Sequence, residues 1–150
     1  MEQLKIGSWT IEVDVANTKA FYDRQPPITQ NWNSVFEQNY VLACDTFPQE
    51  VKDLFHSLGV DPHKQGEVNE YKENEDGSHI YGGFYFIVGK IISGPDFWIN
   101  TEDDSMPNFE TVSGIQIAFT DELAMTPDEE DLQPPVIQLE FQLNIPWLLN

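Results

Sequence analysis

After Lys90 the chain has no basic residue at all: positions 91–150 contain no Lys, Arg or His. The same stretch carries twelve of the 26 acids, and with them −12 of the net charge of −19. Net charge bears on partners and solubility rather than on fold. Here it excludes nucleic acid as an expected ligand, since phosphate contacts need a basic stripe, and it favours a cationic partner. Cysteine is nearly absent as well. Cys44 is the only one, so no internal disulfide can form, which fits a reducing, cytoplasmic compartment. No stretch approaches 18 apolar residues, so no membrane-spanning helix is expected. The opening MEQLKIGSWTIEVDV lacks a basic segment followed by an apolar one, so no signal peptide is expected. There is no internal repeat, no P-loop, no GxGxxG and no GxSxG.

What is present is material for a core. The 150 residues include four Trp, five Tyr and ten Phe, and 40% of the chain is hydrophobic. Acidic disordered chains lack such residues. The length fits one domain, 1–150, able to bury roughly 68–70% of its unfolded surface.

The hydrophobic pattern sets the expected elements. Apolar residues fall at Leu4 and Ile6, then at Trp9, Ile11, Val13 and Val15. The parity flips across Gly7-Ser8, as it does when a two-residue turn joins two strands. Asn17 is expected to cap a short helix with Ala20 and Phe21 inward. Residues 24–33, with two prolines, read as a loop. From Ser34 the spacing of Phe36, Tyr40, Ala43 and Phe47 is helical. Thr46-Phe47-Pro48-Gln49 has the form of a capping box. It opens a helix with Val51, Leu54, Phe55 and Leu58 on one stripe, stopped by Gly59.

Beyond the loop at Asp61-Pro62, the pattern predicts a strand over 67–72, a turn at Asn74-Glu75-Asp76-Gly77 and a long strand over 79–92. Gly82-Gly83 in its middle implies a bulge or a close backbone approach. Residues 93–108 read as an acidic loop, 109–119 as one strand, and 120–135 as a second acidic loop or short helix. The final strand alternates cleanly: Ile137, Leu139, Phe141, Leu143 and Ile145 on one side, ended by Pro146. Helices precede residue 60 and strands follow it. The expected fold class is α+β, a single domain with a mostly antiparallel sheet of about six or seven strands and two or three N-terminal helices packed on it.

Chemistry-bearing residues are sparse. Cys44, His56, His63 and a carboxylate have the donor types of a zinc site, but no pair has the short spacing that makes zinc motifs persuasive. Cys44 with a histidine has the types of a nucleophile pair; its helical spacing beside an apolar face points instead to a buried, inert thiol. Glu102-Asp103-Asp104 and Asp128-Glu129-Glu130-Asp131 have the oxygens calcium prefers, without the alternating pattern or turn glycine of a calcium loop. Solvated acidic loops that keep the protein soluble are the expected reading of both runs. Neither a metal nor a cofactor is implied. Paired carboxylates of glycosidase type carry no weight among 26 acids.

The most specific local feature is Asp96-Phe97-Trp98-Ile99, two large aromatics just before Glu102, Asp103 and Asp104. Interface hot spots favour Trp ringed by polar groups, and an arginine could pack on Trp98 while others pair with the carboxylates. Asp96, Trp98, Glu102, Asp103 and Asp104 are therefore the candidate partner-binding residues. The plainer alternative is that Phe97 and Trp98 extend the preceding strand into the core. Trp32, in the proline-containing loop, is a second candidate anchor.

The stretch FPQEVKDLFHSLGVDPHKQGEVNEY, followed by ENEDGSHIYGGFYFIVGKIISGP, resembles a set of small bacterial proteins of no assigned activity. The resemblance covers mainly residues 40–95, with the opening hairpin and the IQLEFQLNIPW tail as weaker matches. It implies a bacterial, cytosolic protein and transfers no catalytic residue. The resemblance also implies further cysteines in relatives over the segment matching 31–44. Here that segment reads NWNSVFEQNYVLAC and keeps Cys44 alone, so any metal site those cysteines form in relatives is lost from this chain.

The sequence thus leads to a non-enzymatic acidic binding protein that engages a basic protein, in its most concrete form an immunity-type or antitoxin-like inhibitor. The alternatives are a small hydrolase or metal-dependent enzyme, and a domain without a dedicated ligand. One outcome follows from charge alone: the protein should pass through a DNA column unretained at about physiological salt, and retention in the absence of a bridging divalent metal would contradict the reading.

Overall fold

The computed structural model describes residues 1–31, 33–64, 67–123 and 132–149. Trp32 and the acidic run 128–131 lie outside them, as does half of the expected second acidic loop. The chain opens with a hairpin, β1 (Glu2–Ile6) and β2 (Trp9–Val13), paired Ile6 to Trp9 across Gly7-Ser8. Gly7 takes φ +58°, the first position of a primed turn, where a side chain would be strained. Helix α1 (Val15–Arg24) follows directly. Its cap is Asp14 rather than Asn17: the Asp14 carboxylate accepts from the Asn17 backbone N–H at 3.1 Å and from its side-chain amide at 2.7 Å. Asn17 is the third helical residue, the donor in a cap that begins three positions earlier.

A single turn, α2 (Ile28–Asn31), interrupts the expected loop. Then come α3 (Val35–Cys44) and α4 (Gln49–Leu58). Val51, Leu54, Phe55 and Leu58 are buried, and Gly59 ends α4 in the left-handed conformation. The expected capping box does not form. So few residues separate the helices that Thr46 still belongs to the last turn of α3. Its N–H donates to the Ala43 carbonyl at 2.9 Å and its hydroxyl donates to the same oxygen at 2.8 Å. Gln49 reaches forward to Asp53 at 2.8 Å, not back.

The strands that follow are β3 (Glu67–Glu73), β4 (His79–Ser93), β5 (Trp98–Asn100), β6 (Ser105–Pro107), β7 (Glu110–Val112), β8 (Ile115–Thr120) and β9 (Val136–Ile145). Seven of them form one antiparallel sheet in the order β1-β2-β4-β9-β8-β7, with β3 also on β4. The expected strand over 109–119 is two strands, because Ser113 (φ +55°) and Gly114 (φ +84°) make a hairpin turn between β7 and β8. The expected loop over 93–108 contains the separate two-stranded sheet β5–β6. At Gly82-Gly83 the close approach, not a bulge in β4, is what the structure shows. A Cβ at Gly83 would strike the Glu67 carbonyl, and one at Gly82 the Tyr71 ring. The register shift lies opposite, in β3 between Glu70 and Lys72.

β4 is the spine. One edge pairs with β9 along residues 79–88. The other edge is shared: β3 takes residues 79–84 and β2 takes 89–93. Between them the backbone of Phe86 and Val88 has no strand partner, and α1 fills the gap. The Tyr22 hydroxyl donates to the Phe86 carbonyl (2.8 Å) and accepts from its N–H (2.9 Å). The Thr18 hydroxyl accepts from Val88 N–H at 3.0 Å, and Asp14 N–H donates to the Val88 carbonyl at 2.8 Å. Thr18 and Tyr22, one turn apart on α1, are both buried.

The sheet also curls. The Trp9 and Phe119 rings lie 5.7 Å apart although β4 and β9 separate their strands, and Ser8 N–H on the first hairpin donates to Glu110 on β7, the far edge, at 3.0 Å. On the helix-facing side an aromatic layer forms the core. Tyr40 stacks on Tyr81 (5.7 Å), Tyr85 on Phe141 (5.3 Å), and Phe55 meets Tyr85 edge-on (5.5 Å). Ile115, Ile117 and Phe119 are buried on one face of β8; on the other, Gln116 is exposed but Ala118 and Thr120 are buried, so the end of the strand is covered on both faces.

Replacing Tyr22 by Phe keeps the ring and strands the Phe86 N–H and C=O without a partner. Leaving a buried group unsatisfied costs about 1–3 kcal/mol, and a urea midpoint lowered accordingly is the expected result. An unchanged midpoint would mean water reaches this edge.

Candidate functional site

Two places combine shape with chemistry. The first is the β5–β6 hairpin, which contains the expected binding residues. Its turn is closed by Thr101 and Asp104: Thr101 N–H donates to the Asp104 carbonyl at 2.8 Å, and Asp104 N–H donates back to the Thr101 hydroxyl at 3.1 Å. Its base is held by Asn108, whose N–H donates to Phe97 C=O at 2.6 Å and whose amide donates to Asp96 C=O at 3.3 Å. Phe97 packs against the core and meets Trp98 edge-on at 4.8 Å. Trp98 does not follow it inward; the side chain is exposed, at 46%.

Alternation along such short strands puts apolar groups on both faces. Trp98 is paired with Pro107, and Ile99 (42% exposed) with Met106 (52%). Glu102 and Asp103 stand exposed at the turn. Asp104 beside them turns one carboxylate oxygen onto Ser105 N–H at 2.8 Å. Asp96 is exposed where the chain enters β5. The hairpin therefore carries three large apolar side chains in solvent and four acids, with no basic residue anywhere in its sequence. The sequence missed that it is a hairpin at all, and missed Met106 as the partner of Ile99.

The second place is a cleft of about 680 Å³ between α1 and α4, closed at one end by residues 59–63 and by Cys44 and Asp45. His56 and His63 both line it. Spacing did not reveal that Cys44, His56 and His63 line one cleft, nor the part played by Asp45 and Asp61. His63 Nδ1 lies 2.7 Å from Asp61 and Nε2 lies 2.8 Å from Asp45. Asp61 also accepts from the His63 backbone N–H at 3.0 Å, the local Asx turn expected of an Asp-Pro-His sequence. The Asp61 bond, reinforced by Asp45, raises the imidazole above its ordinary range, and the same bond lowers Asp61. Burial pushes the Cys44 thiol up, so it is protonated at neutral pH. Among the described residues no group of three or more His, Cys, Asp or Glu side chains is placed to hold a metal ion.

His79, the third histidine, packs on Trp147 at 4.6 Å and bonds Glu70 at 3.1 Å across β3 and β4. Nearby, buried Asn39 ties the C-terminal segment to α3, donating to Pro146 C=O (3.1 Å) and accepting from Leu148 N–H (2.6 Å).

The Asp45–His63–Asp61 network has a definite pH signature. With its folded value raised, His63 contributes stability that is complete below the ordinary 6.5 and is lost as pH rises through the raised value. With its folded value lowered, Asp61 contributes stability present above 3.8 and lost as pH falls through the lowered value. The network's contribution is thus fullest between 3.8 and 6.5. Urea midpoints measured across pH should show an alkaline decline in the wild type that His63→Gln removes. The same decline in the variant would assign it to other groups.

Compared with protein-family models, with curated proteins and with solved structures, the chain matches none.

Proposed function

We propose that this is a non-enzymatic binding protein whose β5–β6 hairpin engages a basic protein, with an inhibitor of immunity or antitoxin type as the concrete form. The observation that carries the reading is the exposure of Trp98, Ile99 and Met106 on a hairpin tipped and flanked by Asp96, Glu102, Asp103 and Asp104. A two-stranded hairpin is marginal alone in water, and apolar groups on both of its faces gain from burial by a partner. A second copy of the chain is a poor partner, because each copy carries −19. A cationic surface pairs with the acids and stacks on Trp98. Such a protein belongs in the bacterial cytoplasm, where a basic target would be held inactive.

The cleft supports the enzyme alternative less well. Both ring nitrogens of His63 are committed to carboxylates, and the Cys44 thiol is held protonated, so neither is poised as base or nucleophile. No helix among the described residues is long and apolar enough to cross a membrane.

The test is capture from a host lysate at low salt, with identification of the bound proteins and kinetics on the purified partner. A basic protein is expected. Reversing Glu102, Asp103 and Asp104 to Lys should mainly slow association. Trp98→Ala should speed dissociation and weaken binding by about 2 kcal/mol or more. A partner that binds both variants as tightly as the wild type would remove the hairpin from the function.

A further inference from the structure

The loop carrying His63 is anchored to the rest of the protein by bonds that do not involve its imidazole ring. The Tyr85 hydroxyl donates to Pro62 C=O at 2.8 Å, Ile28 N–H donates to His63 C=O at 2.9 Å, and Lys64 reaches the Gln25 carbonyl at 3.2 Å. The corner between α3 and α4 is attached to this loop differently. Asp45 sits at that corner with its side chain 73% exposed, and its carboxylate meets His63 Nε2. Cys44, its neighbour, is buried at the end of the cleft.

We propose that Asp45, His63 and Asp61 form a proton-operated latch over the cleft: the imidazolium holds the α3–α4 corner down, and its deprotonation frees Asp45 and opens a path to Cys44. An imidazolium has two N–H donors and satisfies both carboxylates. Neutral imidazole has one. Asp61 keeps it, because Asp61 is also fixed by the His63 backbone N–H. Asp45 is then left facing a lone pair across 2.8 Å, with water available on its exposed side.

The other charged groups around the cleft have their own partners or stand on its rim. Lys19 and Asp23 on α1 pair with each other at 2.8 Å. Asp53 on α4 accepts from Gln49, and Lys52 and His56 are exposed on the same helix. Lys64, on the loop itself, is turned to Gln25. The imidazole is raised by the two carboxylates, so the latch is shut below the ordinary imidazole value of 6.5 and opens on the alkaline side.

Cys44 is the only cysteine, so alkylation of the protein by a thiol reagent reports on this one position. The test uses iodoacetamide, an uncharged probe unaffected by the negative field, on the wild type, Asp45→Asn and His63→Gln at a pH of about 6, below the ordinary imidazole range. Both variants should label about tenfold faster or more, as expected when a local opening replaces a closed state. Their rates should be insensitive to low urea, which separates local opening from global unfolding. In the wild type the rate should rise more steeply than thiolate formation over the interval in which the His63 ring titrates by NMR. Asp45→Asn alters an exposed side chain and leaves the fold intact, so it remains informative if His63→Gln is unstable. Equal labelling of wild type and Asp45→Asn at that pH, or wild-type labelling without an inflection at the His63 titration, would overturn the latch.

Discussion

The structure depends on how the central strand's shared edge is satisfied. β4 is 15 residues long and gives one edge to two different strands. Where β3 stops and β2 has not begun, Phe86 and Val88 would present buried backbone donors and acceptors with nothing to meet, a cost few folds tolerate. Asp14, Thr18 and Tyr22 supply those partners from the start of α1 and its first two turns. The helix thus substitutes for a strand at this point. That substitution fixes where α1 lies on the sheet, and with it the cleft that α1 forms with α4. Gly59 at the end of α4 sits so close to the Val15 carbonyl that a Cβ there would collide, which holds the two helices at that spacing.

The same arrangement positions the two chemical sites at different places. The cleft lies on the helical layer, where the loop after α4 meets the end of α3. The hairpin follows the C-terminal end of β4, just after Ser93, where the chain has run out of basic residues. Its acids cannot be neutralised from within residues 91–150, and exposed charges are screened only beyond about 10 Å at 0.1 M salt. Apolar exposure and uncompensated charge therefore coincide on one small element, and a cationic partner relieves both. The cleft is different in kind: its charges are largely paired internally, and its central histidine is held between two carboxylates.

Much of this was legible in the residues, and the exceptions have physical causes. The α4 stripe, the final strand and the first hairpin follow directly from periodicity. The hairpin between β7 and β8 carried the same signature as the first and was missed: Val112 and Ile115 stand three apart across Ser113-Gly114, as Ile6 and Trp9 do across Gly7-Ser8. A parity flip at that spacing marks a turn even without an Asn-Gly. The capping box failed because a motif match ignores how little chain separates two helices. The β5–β6 hairpin was hidden by its brevity, three residues per strand among prolines and acids. The exposed Trp98 and its acids were readable as a group. The Asp45–His63–Asp61 network was not, since Asp45 lies 18 residues from His63 and only folding brings them together.

Trp98 stands in solvent within a negative field, ready for a cation. Fluorescence quenching tests it most directly. The emission lost on replacing Trp98 by Phe should be quenched more strongly by caesium than by iodide at low ionic strength, and the preference should fade as salt screens the acids. A lost component that neither ion quenches, or that iodide quenches better, would show that Trp98 is covered or that the field around it is not acidic, and would contradict the account.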